Sequence, residues 1–322
     1  MQHIHGRAPR PTPFRMRVGR AVRFAIVSTA HGGEFGGTGP VPVPALFAHL
    51  VDDTTLLAPR AHVPPMAEVV HDYLSARDGV YGGMIGQLVC PVSRLPELVT
   101  ELARRSPIVP IDLSLIVDTG LSAVPKAFSL VLSRENLVTA RTVETGAPND
   151  LDAQWLERVS EFVPEDVLAV VEPRRPLDGR TGPWLDAVRR VADHGCTPKL
   201  RCGGPRPSDI PTFDQVRDFV AAADTAPSGF TASIGLGNAV RRVAGQNGGV
   251  EHGLLNMVVA VARALMAGDV KGALAETDGD ALIEEVGKLS EASGRSIRGL
   301  LARCGCGSTG DAAMELAGLG LL

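Results

Sequence analysis

The sequence predicts an α/β fold, a parallel barrel of βα repeats, on three observations. From about position 86, apolar runs of four to eight residues alternate with helical patterns of ten or more, as repeated βα units require. Three of these runs end in charged residues just before a loop: Thr142-Val143-Glu144-Thr145, Val170-Val171-Glu172-Pro173, and Pro198-Lys199-Leu200-Arg201-Cys202-Gly203-Gly204. The carboxyl ends of parallel strands are where such proteins bind ligands. With 322 residues the chain can also hold a barrel of about 250 residues plus extensions. An open doubly wound sheet is disfavoured, because no GxGxxG follows an early strand; Gly235-Leu236-Gly237 comes late and lacks the third glycine.

Residues 1–43 read as an arm. Arg7, Arg10, Arg15, Arg17 and Arg20 precede an apolar run at 22–30 that Arg23 breaks, which is untidy for a signal peptide. The glycine-rich stretch at 32–40 separates this arm from one domain spanning 44–322. Within that domain, 45–50 reads as a short helix entering a polar turn, Asp52-Asp53-Thr54-Thr55, and 66–77 as a helix with apolar residues on one face.

Six strands follow, at 87–92, 111–117, 137–143, 167–171, 197–202 and 230–234. The intervening helices are at 95–104, 121–132, 152–162 (capped by Asn149 or Asp150), 184–192 and 214–223. A strongly apolar helix covers 252–266. Residues 24–28 are a candidate seventh strand, and no eighth is apparent. The tail from 281 reads as helical and ends in an apolar run at 316–322. The expectation is therefore a TIM-like barrel, either incomplete or closed by terminal segments, with a helical C-terminal cap.

Composition narrows the function. A hydrophobic content of 44% with 21% charged residues is that of a globular protein. A net charge of −4 supplies no basic face and 4% aromatics no stacking platform, so nucleic acid is excluded as a partner. No apolar run approaches the ~18 residues of a membrane span. Five scattered cysteines suit reduced thiols in a cytoplasmic protein. Cys304 and Cys306 could join Cys202 around a metal, although no CxxC pair accompanies them.

Lys199 and Arg201 lie two apart on one strand and so share a face. With Glu144 and Glu172 on neighbouring strands they support three readings. Lys199 forms a Schiff base with a carbonyl; both cations clamp an anion, Arg201 bidentately; or the four residues are an ion-pair network crossing the barrel. Glu144 and Glu172 are candidate proton-transfer groups, or with Asp118 ligands for Mg²⁺ or Mn²⁺. No cofactor is otherwise expected. Gly203, Gly204, Ser233, Gly235 and Asn238 are candidate substrate contacts in glycine-rich loops, which either approach a ligand or only permit tight turns. His252 is a candidate acid or base and shares a helix face with Asn256, where a capping role is the alternative. Asp52 and Asp53 sit on a turn that either folds over the barrel mouth or is an ordinary surface turn. The expected partner is a small anionic metabolite, and the apolar helix at 252–266 and the terminal run at 316–322 either cover the barrel floor or bury against a second copy of the chain.

Four segments resemble an uncharacterised bacterial family of aldolase-type barrel proteins. They are Val51-Asp52-Asp53 with Pro59; the strand 198–204; the stretch 230–241 leading to His252-Gly253-Leu254-Leu255-Asn256; and the terminal 316–322. The likeness runs from about residue 44 to the end. It implies a barrel and aldolase-like or isomerase chemistry on a small carbonyl or phosphorylated metabolite. Where that family favours Phe-Lys-Ala-Thr-Ala-Gly-Leu-His-His, this chain has Phe230-Thr231-Ala232-Ser233-Ile234-Gly235-Leu236-Gly237-Asn238. Loss of that lysine and the paired histidines implies either a different substrate or a binding protein without catalysis.

Overall fold

Eight parallel strands close into a barrel in this computed structural model, which describes residues 41–59, 62–176, 179–204, 206–244 and 249–322. The basic arm, the glycine-rich stretch at 32–40 and the candidate strand at 24–28 lie outside the described residues. In chain order the elements begin with β1 (Val51–Asp53), α1 (Met66–Arg77), β2 (Ile85–Pro91), α2 (Leu95–Arg105), β3 (Ile111–Ile116) and α3 (Val124–Leu132). They continue with β4 (Val138–Gly146), α4 (Ala153–Phe162), β5 (Leu168–Glu172), α5 (Gly182–Asp193), β6 (Thr197–Arg201), α6 (Phe213–Ala223) and β7 (Phe230–Ser233). A hairpin of β8 (Arg242–Ala244) and β9 (Gly249–Glu251) then precedes α7 (Leu254–Leu265), α8 (Val270–Ala275), α9 (Gly279–Gly287) and α10 (Glu291–Leu300). The chain ends with β10 (Leu301–Cys306) and α11 (Thr309–Gly318).

Around the barrel the order is β1-β10-β7-β6-β5-β4-β3-β2, closed by parallel pairing of β1 with β2. The six expected strands are β2 to β7. The two that close the ring, β1 and β10, depart from the expectation. Residues 51–53 are not part of a polar turn but β1, which pairs with β10 in the register Val51↔Cys304, Asp52↔Gly305, Asp53↔Cys306. The tail is not continuously helical either: β10 follows α10 directly. The expected helix at 45–50 is a turn, and α4 is capped by Asp152, whose carboxylate accepts from Trp155 N, rather than by Asn149 or Asp150.

Strand alternation sorts each side chain to the lumen or to the helical layer. Leu88, Cys90, Leu113, Leu115, Val143, Val171, Leu200 and Ala232 are buried and pack against the amphipathic helices that return the chain. α7 departs from this pattern, since residues 254–262 are buried all round. It packs against α6, α8, α9, α10 and β10, so the chain itself covers the apolar helix. Among the described residues no helix is long and apolar enough to cross a membrane.

Arg298, near the end of α10, pins the closure. Its guanidinium donates to the carbonyls of Leu301 (2.7 Å), Ala302 (2.6 Å) and Ala48 (3.4 Å), joining α10, β10 and the chain entering β1. Burial, with carbonyls as its hydrogen-bond acceptors, pulls its pKa down to about 10. Leu301, the first residue of β10, is fully buried. Leu301→Ala is expected to lower unfolding free energy by about 2–5 kcal/mol in denaturant titration, as for other buried leucines. A loss under ~0.5 kcal/mol would show that β10 is not integral to the barrel.

Candidate active site

The lumen is polar, and its contacts cross it rather than run along its wall. Thr142 Oγ1 on β4 donates to Gln87 Oε1 on β2 at 2.8 Å, over the intervening β3. Lys199 on β6 reaches Glu144 on β4 over β5 in the same way. Both contacts therefore lie on the inner face. By alternation Thr197, Lys199 and Arg201 on β6, Val170 and Glu172 on β5, and Ser114 on β3 also face inward.

Lys199 Nζ donates to Glu144 Oε2, with side chains only 3% and 7% exposed. Ser114 Oγ donates to the other oxygen of Glu144. Glu172 lies 3.7 Å from Lys199 Nζ and takes the Nε and Nη2 of Arg201 at 2.7 and 3.3 Å. Burial alone would raise the Glu172 carboxyl, but Lys199 and Arg201 beside it hold it below the usual carboxylate range. The converse holds for Arg201: burial opposes its charge, and Glu172 more than restores it. Two cations and two carboxylates thus form one balanced cluster, as buried charges demand. The bidentate edge expected to clamp a ligand is occupied by Glu172.

The cluster opens outward into a cavity of about 210 Å³ at the carboxyl ends of β5 and β6, roomy enough for about seven waters at ~30 Å³ each. Beyond Lys199, Arg201 and Glu172 its walls include Trp184, Arg174, Arg175 and Arg206. The three arginines were not singled out from the sequence. Arg174 and Arg175 directly follow Glu172-Pro173, so the strand-end rule that found Glu172 would have reached them had it been carried into the loop.

The other candidate residues lie elsewhere or serve packing. Ser233 is buried beside Arg201 on the adjacent strand. A Cβ at Gly203 would lie 2.8 Å from Gly235 Cα, so these glycines let the loops after β6 and β7 touch each other. Gly235 also has φ +87°, and Ile234 before it φ +65°, a strained conformation for a β-branched residue at the barrel rim. Gly204 is closed off by Asp209.

Asn238 is buried and donates to Glu251 Oε2 at 2.7 Å. His252 Nε2 pairs with the Pro211 carbonyl at 2.9 Å and its ring lies against Phe213. Burial lowers its pKa, and none of its contacts is with Lys199, Glu144 or Glu172. Asn256 accepts from Arg241 N and donates to the Ala273 and Glu276 carbonyls, stapling the loop before β8 to α8. Any side chain at Gly253 would strike Asn256 Oδ1 at 2.2 Å. The His-Gly-x-x-Asn segment is in these contacts a structural staple.

Asp53, expected on a loop over the mouth, is in β1. Its carboxylate accepts from Thr55 N at 2.9 Å and from Thr309 Oγ1 at 3.4 Å, tying β1 to α11. Asp118, weighed as a metal ligand, accepts from Ser93 N and Ser93 Oγ instead. Among the described residues no group of three His, Cys, Asp or Glu side chains is placed to hold a metal ion. All five cysteines are free and buried, and burial raises the Cys90 and Cys202 thiols to about 12.

Asp52 is a third lumen carboxylate, 4% exposed. It accepts from Gln87 N at 2.7 Å and from Arg303 at 3.3 Å. Burial outweighs Arg303 and raises its pKa to about 6. No protein-family model matches this chain, and no curated protein matches it. The aldolase-type resemblance is thus supported by the barrel alone.

Two measurements check this electrostatic description. Lys199→Met leaves Glu144 buried without its cation and should cost about 3–5 kcal/mol, much of which Lys199→Met/Glu144→Gln should recover. Equal instability of the single and double variants would contradict the pairing. Asp52 has a raised folded-state pKa, so its ionisation costs stability as pH climbs from about 4 to 6. The stability of Asp52→Asn relative to wild type should therefore improve over that window, by on the order of 2 kcal/mol. A pH-independent difference would remove the raised carboxyl.

Proposed function

We propose that the protein is an enzyme acting on a small anionic carbonyl compound, by carbon–carbon lyase or isomerase chemistry. The observation that carries this reading is a lysine at the base of an arginine-lined cavity, with two carboxylates within reach of its Nζ. A closed parallel barrel with its cavity at the strands' carboxyl ends is compatible with such chemistry, while fold alone does not assign it.

In the reading we favour, Glu144 accepts a proton from Lys199, and the freed amine adds to the substrate carbonyl carbon. The carbonyl oxygen takes one proton from the added nitrogen and the one held on Glu144 and leaves as water, giving an iminium. Glu172 then removes a proton from the adjacent carbon (isomerisation) or from the hydroxyl of the departing fragment (cleavage). In either case the electron pair moves onto the iminium nitrogen as an enamine. Reprotonation and hydrolysis release product and restore Lys199. Ser114 fixes the Glu144 carboxylate so that one oxygen faces Nζ.

A second reading has a specific observation behind it. The four charges balance one another without a ligand, and Thr231, Gly237 and Asn238 replace the lysine and histidines of the resembled pattern. A protein that binds the same metabolite without turnover would look like this.

The test is borohydride reduction with pyruvate, glycolaldehyde phosphate and dihydroxyacetone phosphate as probes, alongside turnover assays. One probe should add its mass less one oxygen at Lys199, and Lys199→Met/Glu144→Gln should give neither adduct nor turnover. Turnover without an adduct would leave Lys199 as a carbonyl-polarising donor. Ligand-induced thermal stabilisation with neither turnover nor adduct would favour the binding protein.

A further inference from the structure

The charge balance of the inner cluster has a counterpart in the outer cavity, where charge is unbalanced. Lys199 faces Glu144 and Glu172, Arg201 faces Glu172, and Arg206 is paired with Asp209 at 3.0 Å. Arg174 and Arg175 stand apart. Arg174 is exposed and, among the described residues, makes no hydrogen bond or ion pair.

Arg175 is half-buried and held rigidly, but by neutral acceptors. Nη1 donates to Gln215 Oε1 at 3.1 Å and Nη2 to the Ser208 carbonyl at 2.6 Å. Gln215 is itself buried and fixed by the capping box that starts α6, where its Oε1 also accepts from Thr212 N. Burial without a bonded carboxylate lowers the Arg175 pKa, against a weaker pull from Asp209. A guanidinium positioned in this way, with only neutral hydrogen-bond acceptors among the described residues, is a preorganised anion receptor.

We propose that Arg174 and Arg175 receive the phosphate group of a short phosphorylated carbonyl substrate, the carbonyl end lying inward at Lys199. Three considerations select phosphate. Two guanidiniums from consecutive residues lining one cavity match a group carrying nearly two negative charges and three acceptor oxygens. The inner cations are neutralised already, so the anionic end is drawn outward. The cavity, of about 210 Å³, suits a phosphate carried on a short carbon chain. The inference concerns the cavity already described and rests on the reading of Lys199 as the carbonyl end, but the receptor is testable separately.

The test uses inorganic phosphate as probe, titrated into the full chain by calorimetry and followed by ³¹P NMR. Wild type should bind one phosphate. Arg174→Ala and Arg175→Gln should each weaken binding about tenfold or more, the loss of roughly one charge-assisted contact. Lys199→Met/Glu144→Gln should bind within about twofold of wild type, because its changes lie in the inner cluster. Arg174 is exposed, so Arg174→Ala keeps the test valid even if Arg175→Gln fails to fold.

Absence of phosphate binding, or equal affinity in wild type and Arg174→Ala, would overturn the receptor. Arginine-dependent phosphate binding with no carbonyl adduct or turnover would uphold the receptor and remove the Lys199 reading. An adduct at Lys199 with arginine-independent phosphate binding would do the reverse.

Discussion

A closed barrel whose interior carries charge must satisfy that charge from within, and this constraint organises the rest of the molecule. The contact between Lys199 and Glu144 is its clearest expression. It spans β6 to β4 across β5, and both groups are almost wholly withdrawn from solvent. Desolvating either alone would cost several kcal/mol, so each requires the other. Ser114 on β3 donates to the other oxygen of Glu144, Glu172 on β5 lies 3.7 Å from Lys199, and Arg201 on β6 pairs with Glu172. Deeper in the lumen, Thr142, Gln87, Asp52 and Arg303 form a second polar chain linking β4, β2, β1 and β10. The barrel is thus held by apolar packing on its outside and by ion pairs and hydrogen bonds through its middle.

The same constraint separates what holds the site together from what would bind a ligand. Groups that balance one another inside the lumen are satisfied without a visitor. Arg174 and Arg175, which bond no carboxylate among the described residues, lie on the loop after β5, where solvent meets the cavity. Trp184 closes one wall, its indole nitrogen donating to the Pro173 carbonyl at 3.2 Å, and so fixes the base of that loop against α5. The cavity has a rigid, neutralised floor and a cationic lip, a polarity that would orient a substrate with one charged end.

Much of this was legible in the amino-acid sequence, and the exceptions have physical causes. β2 to β7 are apolar runs between helices of the expected length, so periodicity exposes them. β1 has two acids among its three residues and resembles a turn; it is a strand because it pairs with β2 and with β10, which arrives some 250 residues later to complete the ring. β10 has no breaker between its first residue and the helix before it, so local pattern merges the two. The convergence of Glu144, Glu172, Lys199 and Arg201 was accessible because strand-end position and same-face spacing are sequence properties. Arg174 and Arg175 escaped notice because a loop has no period to read. Asp53 and His252 are chemically suggestive residue types, and their contacts are structural; only three-dimensional neighbours distinguish the two cases.

Gly203 and Gly235 meet backbone to backbone, 2.8 Å from a Cβ that neither possesses. The loops after β6 and β7 are consequently one mechanical unit rather than two independently variable ones. Barrels ordinarily diversify by exchanging single loops at this rim while the strands stay fixed. Here that freedom is curtailed, since enlarging either glycine would push the opposite loop out of place. Diversification of the pocket, whether by natural drift or by grafting in the laboratory, would have to proceed through the β5 loop or replace both coupled loops together.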